Sequence, residues 1–428
     1  MDYINIFDFI YCFQSLYTEY KKYSTKHISL SIVLKNYKKN TIVKLIMTTL
    51  LTNKQRILNT FANKETDKIA FSPRLYYWYF GNKLFKRRVK RNQFKCPIPD
   101  KFLHKTQLDI YKLLKAAPRY SEETLYLPLF QTQINPEAGI QKITKRGSKE
   151  GETITKYETP LGILTQKTAI GGGFGVHYTE FPVKTVEDIK IMKFIFENTN
   201  FSFLEKNFHK AEELFGELGV VSEYLESSPY QRMVKELMGF TRTVIFLKRK
   251  PREMEDFLLF LENWDDKMYE VAANSPIPII NFGENIDANL SPPPQFEKHL
   301  LPYYKKRVDQ LHKVGKYCHI HMDGSLKDLL PYFEELPFDG LEALTAHPQG
   351  DVTLEEIKKA IGEKVYLDGI PSILFLPQYT NEYVKKYTQK VLDLFSPNLI
   401  LGVSDELSPN GDIRKIEMIS EIVQKYEP

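Results

Sequence analysis

Cysteine is scarce: 428 residues contain three, Cys12, Cys96 and Cys318. So few, so widely spaced, exclude a disulfide framework and a zinc ribbon, and they fit a reducing, cytoplasmic setting. Long apolar runs are lacking as well. No window approaches the roughly 18 uninterrupted apolar residues of a bilayer-spanning helix. No G-x-G-x-x-G follows a first strand, and there is no phosphate loop. Gly171–Gly173 and Gly175 precede His177 and Tyr178 and read as a loop. Repeats at solenoid periods are absent. Most of the chain also lacks a charge of one sign. Residues 1–46 hold seven Lys against Asp2, Asp8 and Glu19, so they account for most of the net charge of +5. The near-neutral remainder argues against a nucleic-acid-binding body.

Residues 1–46 contain neither Gly nor Pro. A secretory signal needs basic residues ahead of its apolar stretch, whereas NIFDFIYCF follows Asp2 and contains Asp8. This stretch is expected to be an extension outside the core fold, with Met47 a natural beginning. A partner-binding or membrane-surface helix is the rival reading. The basic run KLFKRRVKRNQFK, Lys83–Lys95, reads as a solvated face, with an anion or nucleic-acid contact as the alternative.

What is present is a globular balance, 42% hydrophobic and 26% charged, with ample material for a core. From Met47 onward, β-rich runs alternate with segments of helical spacing. The expected strands are Lys68–Ser72, Thr124–Phe130, Gly219–Leu225, Ile277–Phe282, Tyr317–His321, Gly340–Leu344, Lys364–Leu367 and Asn398–Val403. The expected helices include Glu253–Val271, Leu300–Val314, Leu354–Ile361 and Tyr379–Phe395. Thr185 with Asp188 and Thr353 with Glu356 have capping-box spacing, and Gly362 sits where a helix ends. GETITKYETPLGILTQKTAI, Gly151–Ile170, reads as a hairpin around Thr159–Gly162. The fold class is α/β: an eight-stranded (β/α)8 TIM barrel over residues 47–428, with an inserted β-hairpin and an N-terminal extension.

In such a barrel the active site lies at the strand carboxyl ends, where polar and acidic groups gather here. Unpaired in a plain core, these groups would cost several kcal/mol each, on the order given for buried charge. His321, Asp323 and Asp405 form the leading combination, because imidazole and carboxylates can hold zinc or another divalent ion with a position left open. Glu284 is expected to complete such a site or to act with His321 and Asp405 in acid/base work. Arg74 is expected to clamp a substrate carboxylate, or else to pair at the barrel rim. Tyr76, Tyr77, Trp78 and Tyr79 offer an aromatic wall, with lid packing as the rival. Tyr230, Asp287, His319, Glu342 and Glu406 complete the expected substrate contacts; His319 and His321 point the same way on a strand. Asp405 and Glu406 have a competing role as helix caps, which Asp412 or Asn410 would serve better. His177 and His347 read as incidental. Cys318 points away from the interior if His319 faces it.

DKIAFSPRLYYWYFGN, FGENIDANLSPPPQFEKHLLPYY, HIHMDGSLKDLL and LILGVSDELSPNGDIRKI together resemble the uroporphyrinogen decarboxylase superfamily. The resemblance spans Met47–Pro428 and implies a TIM barrel whose cleft opens at the strand carboxyl ends. It also implies either decarboxylation, as of uroporphyrinogen in porphyrin metabolism, or methyl transfer of the cobalamin-dependent branch. Of the two arginines that decarboxylases use, only Arg74 matches, and Trp78 stands at the second place. Phe130–Gln133 offers no acid, Lys235 falls where a tyrosine is expected, and Val403-Ser404-Asp405 replaces the late histidine. The methyltransferase branch binds zinc through His-x-Cys and a later Cys, and the matching places here are His321, Asp323 and Asp405. The reading is therefore an enzyme moving a one-carbon unit with a corrinoid on a separate protein, because no cobalamin-binding domain is recognisable. Decarboxylation is the alternative and a non-catalytic ligand-binding barrel the second. A small-molecule substrate, no nucleic acid, no membrane and a homodimer complete the expectation.

Overall fold

The computed structural model describes residues 51–89, 96, 98–149, 151–171 and 175–428. The expectations for residues 1–46, for Met47 and for residues 90–95 of the basic run fall outside them, as do Gly172 and Gly173. The elements below all lie in one unit, Thr52–Pro428.

Seven parallel strands form the central sheet: β1 (Ala70–Phe71), β2 (Ser222–Leu225), β3 (Ile279–Ile286), β4 (Tyr317–Met322), β5 (Gly340–Glu342), β6 (Val365–Pro371) and β7 (Leu399–Ser404). Their order is β1-β7-β6-β5-β4-β3-β2. Strands β6 (VYLDGIP) and β7 (LILGVS) are buried at every residue. Both faces of a parallel sheet covered by helices are hidden, so such strands are apolar runs rather than alternating ones. The connecting helices carry the matching stripe. Leu354–Ile361 buries Leu354, Ile357 and Ile361 on one face, opens with the Thr353–Glu356 capping box and ends at Gly362. Thr185 and Asp188 form a second capping box. The last helix, Ile413–Lys425, is capped by Asp412, which leaves Asp405 and Glu406 free of that task. No described helix is long and apolar enough to cross a membrane.

Between the two edge strands runs Ala116–Tyr120. The Ala117 amide donates to Phe71 O at 2.7 Å, Ser222 Oγ donates to Arg119 O at 2.6 Å, and Tyr120 bridges Ser222 in parallel. This corrects the expected strand at Thr124–Phe130. Ser121–Leu125 is helical, and Phe130–Ile134 pairs antiparallel with Thr199–Phe203 in a separate two-stranded sheet. The reason is Pro118, which has no N–H to give to a ladder and so erases the strand signal where the chain actually enters the sheet. A four-stranded antiparallel sheet, Gln141–Arg146, Glu152–Thr159, Gly162–Gly171 and Gly175–Glu180, interrupts the alternation, and its second and third strands pair across Pro160-Leu161.

Gly219 lets the chain pass the Ala116–Tyr120 segment, since a Cβ there would lie 2.6 Å from Pro118 O. Gly219→Ala should therefore lower stability by about 1–3 kcal/mol, the cost of overpacking a close contact. Denaturant unfolding measures it, and a midpoint equal to the parent's would show that this approach is not tight.

Candidate active site

The strand carboxyl ends deliver their polar side chains into one buried network. Its hub is Glu342, the last residue of β5, which is fully buried. Oε1 accepts from Arg119 Nη1 at 2.5 Å and from the Tyr120 hydroxyl at 2.7 Å. Oε2 accepts from Asn281 Nδ2 at 2.8 Å and lies 3.2 Å from His321 Nδ1. Burial opposes the Glu342 charge, but Arg74, His321 and Arg119 outweigh it and hold the carboxyl well below the usual carboxylate range. Arg119 also donates to Asp368 Oδ1 at 2.9 Å. Asp368 has a φ of 83°, a left-handed backbone that costs about 1–3 kcal/mol at a non-glycine residue. Burial lifts its carboxyl to about 7. Gly402 on the neighbouring strand makes room for it, because a Cβ there would come within 2.5 Å of Asp368 Oδ1.

His321 is nearly fully buried. Its Nδ1 faces Glu342 and its Nε2 lies 3.5 Å from Asp405 Oδ1. Burial opposes its charged form, yet Asp405 and Glu342 raise it to about 9. A ligand atom from each of His321, Asp323 and Asp405 fits within 4.8 Å of the others. The structure thus brings the three expected metal ligands together. Burial and the neighbouring Asp405 push the Asp323 carboxyl up, with His321 pulling the other way.

Other expectations are corrected. Arg74 is no open clamp: Nη1 donates to Asp405 at 2.7 Å, and Nη2 donates to Glu123 at 2.6 Å and Glu406 at 2.9 Å. Trp78 is buried, with Nε1 on Gly411 O at 3.1 Å, so it packs rather than contacts a ligand. Glu284 is buried with its oxygens on Ser228 N at 2.7 Å and Ser228 Oγ at 2.8 Å, which occupies it as a base. Tyr230 is buried, stacks on His299 and donates to Leu290 O. Asp287 accepts from the Asn289 and Ser325 amides and so braces two loops. His319 sits against Tyr120 and Phe61, and burial lowers it to about 4, which keeps it neutral. Tyr76 fares differently. With Tyr77, Tyr126 and Tyr224 it walls a cavity of about 260 Å3 that reaches Arg74 and Glu406.

The sequence reading missed Arg119, Tyr120, Glu123 and Tyr224. Arg119 and Tyr120 follow Ala-Ala-Pro, a segment too short and too Pro-broken to read as a strand, and small buried residues ahead of a polar pair were the available signal. Cys318 is buried, and its neighbour His312 pairs with Asp339 at 2.9 Å.

Residues 230–426 match the model of the uroporphyrinogen decarboxylase (URO-D) family. That segment contains His321, Asp323, Glu342, Asp405 and Glu406, whereas Arg74, Arg119 and Glu123 precede it. No curated protein matches the chain by sequence. In fold the chain is similar to a methyltransferase from Methanosarcina mazei, with a TM-score of 0.52 and 14% identity over 88% of this chain and 99% of that one. It also aligns to a B12-independent methionine synthase from Shewanella sp. W3-18-1, with a TM-score of 0.37 and 12% identity over 84% of this chain and 97% of that one.

Glu342→Ala would leave Arg119 without one of its two carboxylates and His321 without its inner partner. Unfolding in denaturant should show a loss of about 3–5 kcal/mol, the range for breaking a buried charge pair. A loss below about 1 kcal/mol, the range of an exposed pair, would show that Glu342 does not hold the network together.

Proposed function

Residues 230–426 belong to the uroporphyrinogen decarboxylase family, and from that premise we propose an enzyme that transfers a methyl group, using a divalent metal ion held by His321, Asp323 and Asp405. One observation carries the reading: His321 is set between two carboxylates, with Nδ1 on Glu342 and Nε2 turned to Asp405. A histidine that donates one ring N–H to a buried carboxylate is the arrangement that fixes a metal-ligating imidazole. The donor set, one nitrogen and two carboxylates, suits zinc or a harder divalent ion. A bound ion supplies Lewis acidity toward the methyl acceptor.

The chain's own residues do the rest. Arg119, Tyr120 and Asn281 hold Glu342, and Glu342 orients His321. Arg74 positions Asp405 while neutralising Glu123 and Glu406. Burial raises the Glu123 and Glu406 carboxyls, and Arg74 works against that shift in both. The methyl carrier in this reading is a corrinoid borne by a separate protein, and the enzyme is a cytoplasmic homodimer. Ala116–Tyr120 is taken as the eighth stave of a closed barrel, with the antiparallel meander as its insertion. Decarboxylation of a multiply carboxylated substrate is disfavoured, because three carboxylates already accept from Arg74 Nη1 and Nη2 and the surroundings are acidic.

Metal analysis of the full chain, alongside His321→Ala, tests the proposal. The parent should retain about one metal ion per chain, with the variant weaker by at least about tenfold. Demethylation of methylcobalamin, followed by absorbance, should depend on that metal. Absence of metal from both proteins after incubation with zinc, cobalt and manganese would overturn the metal site. Demethylation that proceeds unchanged in the variant would overturn its role.

A further inference from the structure

The cavity beside the network has an unusual lining. Tyr76, Tyr77 and Tyr224 wall it, and Glu122, Glu123 and Glu406 share it with Arg74. Among the described lining residues Arg74 is the sole cation, and its guanidinium is already taken up by Glu123, Asp405 and Glu406. The lining therefore carries more carboxylate than it can neutralise. At about 260 Å3 the space falls below the roughly 300–1,000 Å3 of pockets for drug-sized ligands, so it has room for a small molecule and not for a tetrapyrrole.

Aromatic faces among carboxylates form the chemistry that recognises an organic cation. The ring quadrupole attracts diffuse positive charge, and a methylated ammonium is desolvated more readily than a metal ion. The chain already shows the pairing at the edge of this cavity, where Lys83 Nζ stands 5.7 Å over the Tyr126 ring. Tyr76 and Tyr224 line the cavity while packing on Phe80 and Tyr120 respectively.

We propose that this cavity binds a small organic cation of the methylated-ammonium class. The binding is independent of the metal and of the methyl-transfer reading. An entering cation would stand among the Glu122, Glu123 and Glu406 carboxylates that share the cavity.

Calorimetric titration of the full chain with choline and with its neutral isostere 3,3-dimethylbutan-1-ol tests it. Choline should bind at least about tenfold tighter than the isostere, and Tyr76→Leu and Glu122→Gln should each weaken choline by about tenfold. Both positions are partly exposed, so these variants should keep the parent's melting temperature. Equal affinity for the isostere, no heat with choline, or variants that bind as the parent does would overturn the proposal. The metal content of the same preparations separates the two readings. Retained metal without choline binding overturns only the cation site. Choline binding in a protein that takes up no metal overturns only the metal site.

Discussion

Glu342 sits at the bottom of the cleft with no solvent exposure and four hydrogen-bonding neighbours, Arg119, Tyr120, Asn281 and His321. A lone carboxylate in that position would cost several kcal/mol, on the order of the effective penalty for burying an ion. The fold therefore has to supply donors from three separate places, the Ala116–Tyr120 segment, β3 and β4, with Arg119 also donating to the Asp368 carboxylate on β6. Satisfying this one charge fixes the rotamer of His321, the strained backbone of Asp368 and the side in which Arg119 lies. The site's shape is a consequence of that requirement.

A second constraint acts above the first. Arg74 reaches up from β1 to gather Glu123, Asp405 and Glu406, and its bonds are short and buried. Two guanidiniums and one imidazole face six carboxyls: Glu123, Asp323, Glu342, Asp368, Asp405 and Glu406. Not all of them can be ionised at once in such a space, and burial lifts Glu123, Asp323, Asp368 and Glu406 accordingly. A cleft with this balance favours cations over anions, which is the common ground of the proposed metal ion at His321 and the proposed ammonium between the tyrosines. It repels the polycarboxylates for which an arginine clamp would be built.

Much of the framework was legible before any coordinates. Strands β3 to β7 fall where the apolar runs lie, because a parallel strand buried on both faces needs such a run and little else competes for it. Leu354–Ile361 and its caps are read directly from Thr353, Glu356 and Gly362. The failures share one cause. Pro118 masks the segment between the edge strands, so Arg119 and Tyr120 carry no strand signal, and the expected strand falls on Thr124–Phe130, the end of the next helix and the stretch after it.

The sequence by itself determined the alternation of strands and helices and the family resemblance, and it marked His321, Asp323 and Asp405 as candidates, because periodicity and motif order are local properties. Whether a given polar side chain is open to a ligand was decided by the tertiary structure. Arg74, Glu284, Tyr230 and Trp78 all lie near strand ends in sequence. Only the fold shows that three carboxylates engage the first, Ser228 holds the second, and the last two are packed away. Hydrogen-bond partners come from residues hundreds of positions apart, as with Arg74 and Asp405, and no local pattern in the chain encodes that meeting.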